Sequence, residues 1–196
     1  MIVMKFGGTS VESAAAITRV AGIVHAREAR RPVVVVSAMG KTTNRLLEIA
    51  GAAIAGKREE YIRQLHNMRD YHSREARLIV PLSDRADLDR FLDEHFQELT
   101  ELVKGLAVLG ELTPRSIDAI SSYGERLSSI IVSLAFRHFG MDAVHVDARD
   151  AGHHAGVVIV VGDVEPERIE RRVQRLHRAR RAGEQAAHEL VARAGV

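Results

Sequence analysis

Val33, Val34, Val35 and Val36 form an unbroken β-branched run. A run of this kind, without polar alternation, reads as a strand buried on both faces of a parallel sheet. An earlier apolar run, Ile2, Val3 and Met4, reads as another buried strand. Between the two, Val11, Ala14, Ala15, Ile17, Thr18, Ala21 and Val24 recur at helical spacing. Strand, helix and strand within the first 40 residues predict a βαβ unit, right-handed like nearly all such units. The helix is expected over residues 11–29 and ends at Arg30-Arg31-Pro32, because proline disfavours helix in the residue before it.

The turn inside this unit is Lys5-Phe6-Gly7-Gly8-Thr9-Ser10. Two glycines allow positive φ and let a bulky anion approach bare N–H groups. Thr9 or Ser10 is placed to cap the helix, and Glu12 suits its first turn. The open N–H groups of a helix start favour an anion, and Lys5 at the strand end adds a point charge suited to phosphate. Taken by itself, the same turn is also an ordinary strand-to-helix connection with a surface lysine.

The second strand, expected over residues 33–37, runs into Ala38-Met39-Gly40-Lys41-Thr42-Thr43-Asn44. Gly40-Lys41-Thr42 invites a P-loop reading, but that motif needs a glycine where Val35 stands, so the P-loop is rejected. What remains is a small, hydroxyl-rich loop at the C-terminal end of a strand, the edge at which open α/β sheets bind ligands. The alternative is a polar turn with Thr43 or Asn44 as N-cap of the next helix.

Residues 45–112 read as a helical insertion of three helices: one ending near Gly56, one over residues 57–80 broken by Pro81, and one starting near Ser83. Its paired charges, such as Glu59, Glu60, Arg63, Asp87 and Arg90, read as solvated faces. Thr113-Pro114 opens a further helix as cap and first helical residue. The middle of that helix, Ser121-Ser122-Tyr123-Gly124-Glu125-Arg126, is polar and contains a glycine. A helix-interior glycine costs about 1 kcal/mol against alanine, which suggests a close approach of backbone or ligand. The carboxylate beside it could bind an ammonium group, and the competing reading is a surface Glu-Arg pair at a helix crossing. Strands are expected over residues 143–146 and 157–161, in one parallel sheet with the first two, and a helix from Glu165 onward.

Composition excludes several classes. A formal net charge of +2 is too mild to argue for nucleic acid, and the arginines from Arg171 to Arg181 are flanked by Glu165, Glu167, Glu170 and Glu184 and lack aromatics. There is no cysteine, hence no disulfide framework and no thiol nucleophile. His153 and His154 are adjacent and point apart on any regular element, and His188-Glu189 lacks its second histidine because Ala192 stands there. No apolar run is long enough to cross a membrane, and the start lacks a signal-peptide pattern, so a cytoplasmic setting is the expectation.

In combination, Lys5 to Ser10, Val33 to Asn44, Ser121 to Ser128 and Val146 to Asp150 resemble the N-terminal part of an aspartokinase, in the amino acid kinase family. The resemblance covers residues 1–150, the amino-acid-binding part of such a domain, with residues 151–196 a divergent strand-plus-helix tail. It implies a three-layer αβα sandwich with a mainly parallel sheet, and phosphoryl transfer from ATP, with magnesium, to the side-chain carboxylate of L-aspartate. By the same resemblance Lys5 would stabilise charge on the transferring phosphoryl group, and Gly7 and Gly8 would admit the phosphates. Thr9, Ser37 and Thr43 would line the aspartate site, and Glu125 would hold the α-ammonium. Partners would be L-aspartate and a second copy or partner chain.

Family members continue into a Gly-Gly-Phe strand and a Thr-Thr-Leu-Gly-Arg-Gly-Gly-Ser-Asp segment, whose arginine grips the substrate carboxylate. Neither run occurs in the 196 residues. Two readings follow: an aspartokinase-like transferase, truncated and weakly active by itself, or a non-catalytic fragment or amino-acid-binding subunit without the ATP half-site.

Overall fold

The structure, a computed structural model, describes residues 1–147 and 157–162. The βαβ unit forms as its sequence predicts. Strand β1 (Ile2–Phe6) and strand β2 (Pro32–Val36) pair in parallel, with Ile2 opposite Pro32 and Phe6 opposite Val36, and helix α1 (Ala14–His25) makes the crossover. The turn takes a different form from the one expected. Gly8–Val11 winds into a 3-10 turn, and the cap of α1 is Ser13, whose hydroxyl accepts from the Ala16 N–H at 3.3 Å. Ser13 is in extended conformation, the geometry an N-cap needs, so the helix starts later than Thr9 or Ser10 would place it.

Three helices form the insertion: α2 (Thr42–Ile54), α3 (Arg58–Arg77) and α4 (Arg85–Leu109). Helix α2 begins at Thr42, ahead of the expected caps Thr43 and Asn44, and no side chain caps it. Helix α5 (Pro114–His138) starts as its sequence predicts. Thr113 accepts from the Ser116 N–H at 3.1 Å while the Ser116 hydroxyl accepts from the Thr113 N–H at 2.8 Å. Loss of such a cap typically costs about 1 kcal/mol. Thr113→Ala is therefore expected to lower the unfolding free energy by about that amount in a urea titration, and an unchanged midpoint would show that the cap contributes nothing.

Strand β3 (Ala143–Asp147) and strand β4 (Val157–Val161) complete a sheet of order β1-β2-β4-β3 among the described residues. The expectation of four parallel strands needs one correction: β4 runs antiparallel to both β2 and β3. The reason lies in chain length. Residues 148–156 are too few for the crossover of a dozen or more that a parallel connection requires. β1, β2 and β3 still run the same way, so the fold is α/β with a mainly parallel set of strands and a helical insertion. The helix expected from Glu165 lies outside the described residues.

The core sits on one face of the sheet. Met4, Phe6, Val34, Val36, Ile159 and Val161 meet the helices there, while Val3 and Lys5 project from the other face of β1. Helix α5 is the central support: it touches β2, β3, β4, α1, α2 and α4 and buries Leu127, Ile131, Ala135 and Phe136. Among the described residues the helices cover that one face, so the expected three-layer arrangement is incomplete in them.

Candidate active site

The two loops at the C-terminal ends of β1 and β2 lie directly against each other. The Ser37 N–H donates to the Phe6 carbonyl and the Gly40 N–H to the Gly8 carbonyl, both at 3.0 Å. Gly8 is where no side chain fits: a Cβ there would stand 2.7 Å from the Ala38 carbonyl oxygen and 2.9 Å from that of Gly40. Gly40 itself has φ of +53°, a conformation that favours glycine.

Helix α5 closes the third side. A Cβ on Gly124 would lie 2.7 Å from Cβ of Ala38 and 3.5 Å from Cγ2 of Thr42. One turn on, the buried Ser128 hydroxyl donates to the Ser37 carbonyl at 2.8 Å. Gly124 is thus a crossing glycine, with Glu125 half-buried beside it. Gly8, Ser37, Thr42 and the Gly124 to Ser128 turn are brought together by these contacts. Thr43, next to Thr42, is half-buried, while Lys5, Gly7 and Thr9 are exposed at the end of β1. Nothing stands within 4 Å of a Cβ on Gly7, so the backbone there is open to a ligand.

Two sequence expectations change. The Glu125-Arg126 pair is not a surface pair. Arg126 is only 9% exposed, donates to Nε2 of His95 at 2.8 Å, approaches Glu98 at 3.4 Å and lies 4.7 Å from the Tyr123 ring centre. Burial is the main cause that raises the Tyr123 hydroxyl above its ordinary value. The anion expected at the start of the first helix is also internal, because the Ala14 N–H donates to Oε2 of Glu75 at 3.1 Å.

Glu75 belongs to a set that sequence reasoning missed. On α3, the Tyr71 hydroxyl donates to the Glu12 carbonyl, and the fully buried His72 places Nε2 3.5 Å from the Thr42 hydroxyl. The Thr42 hydroxyl itself donates to the Met39 carbonyl at 2.6 Å. Burial, above all, pushes the His72 imidazole down to about 4, so it is neutral near pH 7. A cleft of about 300 Å³ also opens between α2 and α3, lined by Arg45, Glu48, Gln64, Asn67 and Met68, and none of the predicted site residues lines it.

Comparison with known proteins gives this geometry a lineage. The family model described as "Amino acid kinase family" matches residues 1–191. Aspartokinase 2, chloroplastic, of Arabidopsis thaliana is 36% identical over 152 residues, which are 76% of this chain and 27% of that protein. The chain thus spans about a quarter of the length of the curated relatives it matches. Among solved structures, E. coli aspartokinase III in complex with aspartate and ADP superimposes with a TM-score of 0.58 at 26% identity, covering 72% of this chain and 30% of that one. The same enzyme in complex with lysine and aspartate gives 0.60 at 26% identity, covering 71% and 29%. The chain belongs to the amino acid kinase family, and the proteins it resembles within that family are aspartokinases.

Proposed function

We propose that this chain carries the amino-acid half of an aspartate kinase site, for a reaction in which ATP and L-aspartate give 4-phospho-L-aspartate, the first step toward lysine, threonine and methionine. The observation that carries this reading is the junction of the Gly8 loop, the residue 37–42 loop and the polar turn of α5, where Gly124 and Ser128, on either side of Glu125 in sequence, stand against Ala38, Thr42 and Ser37. L-aspartate would sit against Thr9, Ser37 and Thr43, with its α-ammonium on Glu125. A side-chain carboxylate oxygen would attack the γ-phosphorus as the bond to the bridging β–γ oxygen breaks and ADP leaves with that electron pair. No proton need move. Such a transfer demands mainly positioning and charge neutralisation. The open backbone at Gly7 admits phosphate oxygens, and the exposed Lys5 is a mobile charge two residues away.

Magnesium, which the resemblance implies, has no evident protein ligands: among the described residues no three His, Cys, Asp or Glu side chains stand together to hold a metal ion. No step here is routed through it.

Calorimetric titration with L-aspartate and with Mg-ATP, separately, tests the reading. L-aspartate is expected to bind. Glu125→Gln is expected to weaken it about tenfold or more, since a hydrogen bond to a charged group is worth about 1.5–3 kcal/mol. Aspartate-dependent ADP release from the 196-residue chain is expected to be slight, because the arginine-bearing segment does not occur in it. Absence of aspartate binding, or equal binding by the Glu125→Gln protein, would refute the site.

A further inference from the structure

The helical insertion has no part in the reading above, yet one face of α3 reaches both loops of the site. Three side chains within about one helical turn do so. The Tyr71 hydroxyl donates to the Glu12 carbonyl, just past the Gly8 turn, and would lie 3.3 Å from a Cβ on Gly40. His72 stands against Thr42, the residue that ends the β2 loop and starts α2. Glu75 accepts from the Ala14 N–H, the first residue of α1.

We propose that Tyr71, His72 and Glu75 are positioning residues that brace the Gly8 loop against the residue 37–42 loop, so that the helical insertion sets the width of the aspartate site. This rests on the functional reading above for the identity of the ligand, while the brace itself is a property of the fold.

Each contact is built to last. Glu75 is held from its other side by Arg74 at 3.1 Å, and its side chain is 13% exposed. Burial first, and then the charge of Glu75, raise the Tyr71 hydroxyl above its ordinary value, so it stays a donor; Arg45 and Arg74 oppose that shift and lie 5.3 and 5.8 Å from the ring centre. Nδ1 of His72 donates to the Met68 carbonyl at 2.8 Å, which fixes the ring; Nε2 then carries no proton, the Thr42 hydroxyl donates to Met39, and the 3.5 Å approach of Nε2 to Thr42 is a packing contact. The ring also meets Phe96 of α4 edge-on, with centroids 6.1 Å apart. The loops are also tied to each other by the Ser37 to Phe6 and Gly40 to Gly8 backbone hydrogen bonds, and α3 adds side-chain contacts to both.

Amide hydrogen exchange on the full chain, read residue by residue by NMR, tests the brace without any ligand. Tyr71→Phe removes one hydroxyl, Glu75→Ala removes the acceptor, and Glu75→Gln keeps an acceptor oxygen. Tyr71→Phe and Glu75→Ala are expected to speed exchange at Ala14 and Gly40 about tenfold or more, while Glu75→Gln stays near wild type and the urea midpoint of each moves little. Aspartate affinity is expected to fall about fivefold in the same two variants and to recover in Glu75→Gln. Unchanged exchange at Ala14 and Gly40 overturns the brace. A uniform rise across α1, α2 and α5 also overturns it, because that shows general loss of stability. Should the wild-type chain fail to bind L-aspartate, the functional reading falls and the exchange data alone decide the brace.

Discussion

Gly124→Val is expected to lower the unfolding free energy by about 3 kcal/mol, at the upper end of what overpacking a closed core costs. The position looks permissive by helix propensity alone, since glycine in a helix interior is worse than alanine by about 1 kcal/mol. Packing opposes that gain. A Cβ at Gly124 would stand 2.7 Å from Cβ of Ala38, where carbon atoms prefer about 3.5–4.0 Å, and a Cβ cannot rotate out of the way. Valine adds two methyl groups toward Thr42 Cγ2 and Leu46 Cδ1, already 3.5 and 3.6 Å from the Cβ position. Either α5 or the residue 37–42 loop must shift, and the Ser128 to Ser37 hydrogen bond would shift with it. A paired substitution isolates the cause. Gly124→Ala is expected to destabilise less than valine, and Ala38→Gly in the same chain should recover most of the loss, since it removes the other half of the clash. Urea titrations of the single and double variants measure this. A Gly124→Val protein at least as stable as wild type, or no recovery with Ala38→Gly, would rule out the contact as the reason for the glycine.

Much of this arrangement was legible in the residues. The valine run and the Thr113-Pro114 start each carry a local signal, and the structure follows them at β2 and at α5, while the glycine turn joins β1 to α1 in a form the residues did not show. Gly124 signalled a close approach, and its neighbours Ala38 and Thr42 show what approaches. The direction of β4 was legible too, but only by setting the short connection at residues 148–156 against the span a parallel crossover needs. The cap at Ser13 was harder to read. Thr9, Ser10 and Ser13 are all competent caps, and the 3-10 turn at Gly8–Val11 decides among them.

The contribution of α3 could not be read locally. Its charged residues do form solvated faces, as at Arg77 with Asp89, but Glu75 leaves that pattern to meet Ala14. Such a pairing joins residues 61 apart in sequence, and no periodicity encodes it. His72 offered the one usable signal. It falls on the apolar stripe of α3 with Tyr61, Leu65, Met68 and Ala76, so burial was implied, though its neighbour Thr42 was not.

That burial gives the chain an acid-sensitive core. His72 titrates at about 4 in the fold against 6.5 for an exposed imidazole, with burial the first cause and the charge of Arg45 on α2 acting the same way. The Met68 carbonyl opposes the shift. Tyr71 on α3, Thr42 on α2 and Phe96 on α4 stand against the ring, and none of the three is a carboxylate that would welcome an imidazolium. The unfolded chain therefore binds a proton between pH 6.5 and about 4 that the folded chain does not, and stability rises with pH across that window. The contribution is fully present above pH 6.5 and is lost as pH falls toward 4, amounting to about 3 kcal/mol at about 1.4 kcal/mol per unit. His72→Leu keeps an apolar side chain in the site and has no proton to gain. Its unfolding free energy is expected to fall by about 3 kcal/mol less than that of wild type over the same window. Urea titrations at half-unit intervals of pH on both proteins read this difference directly. Parallel curves would show that His72 is protonated in the fold without penalty.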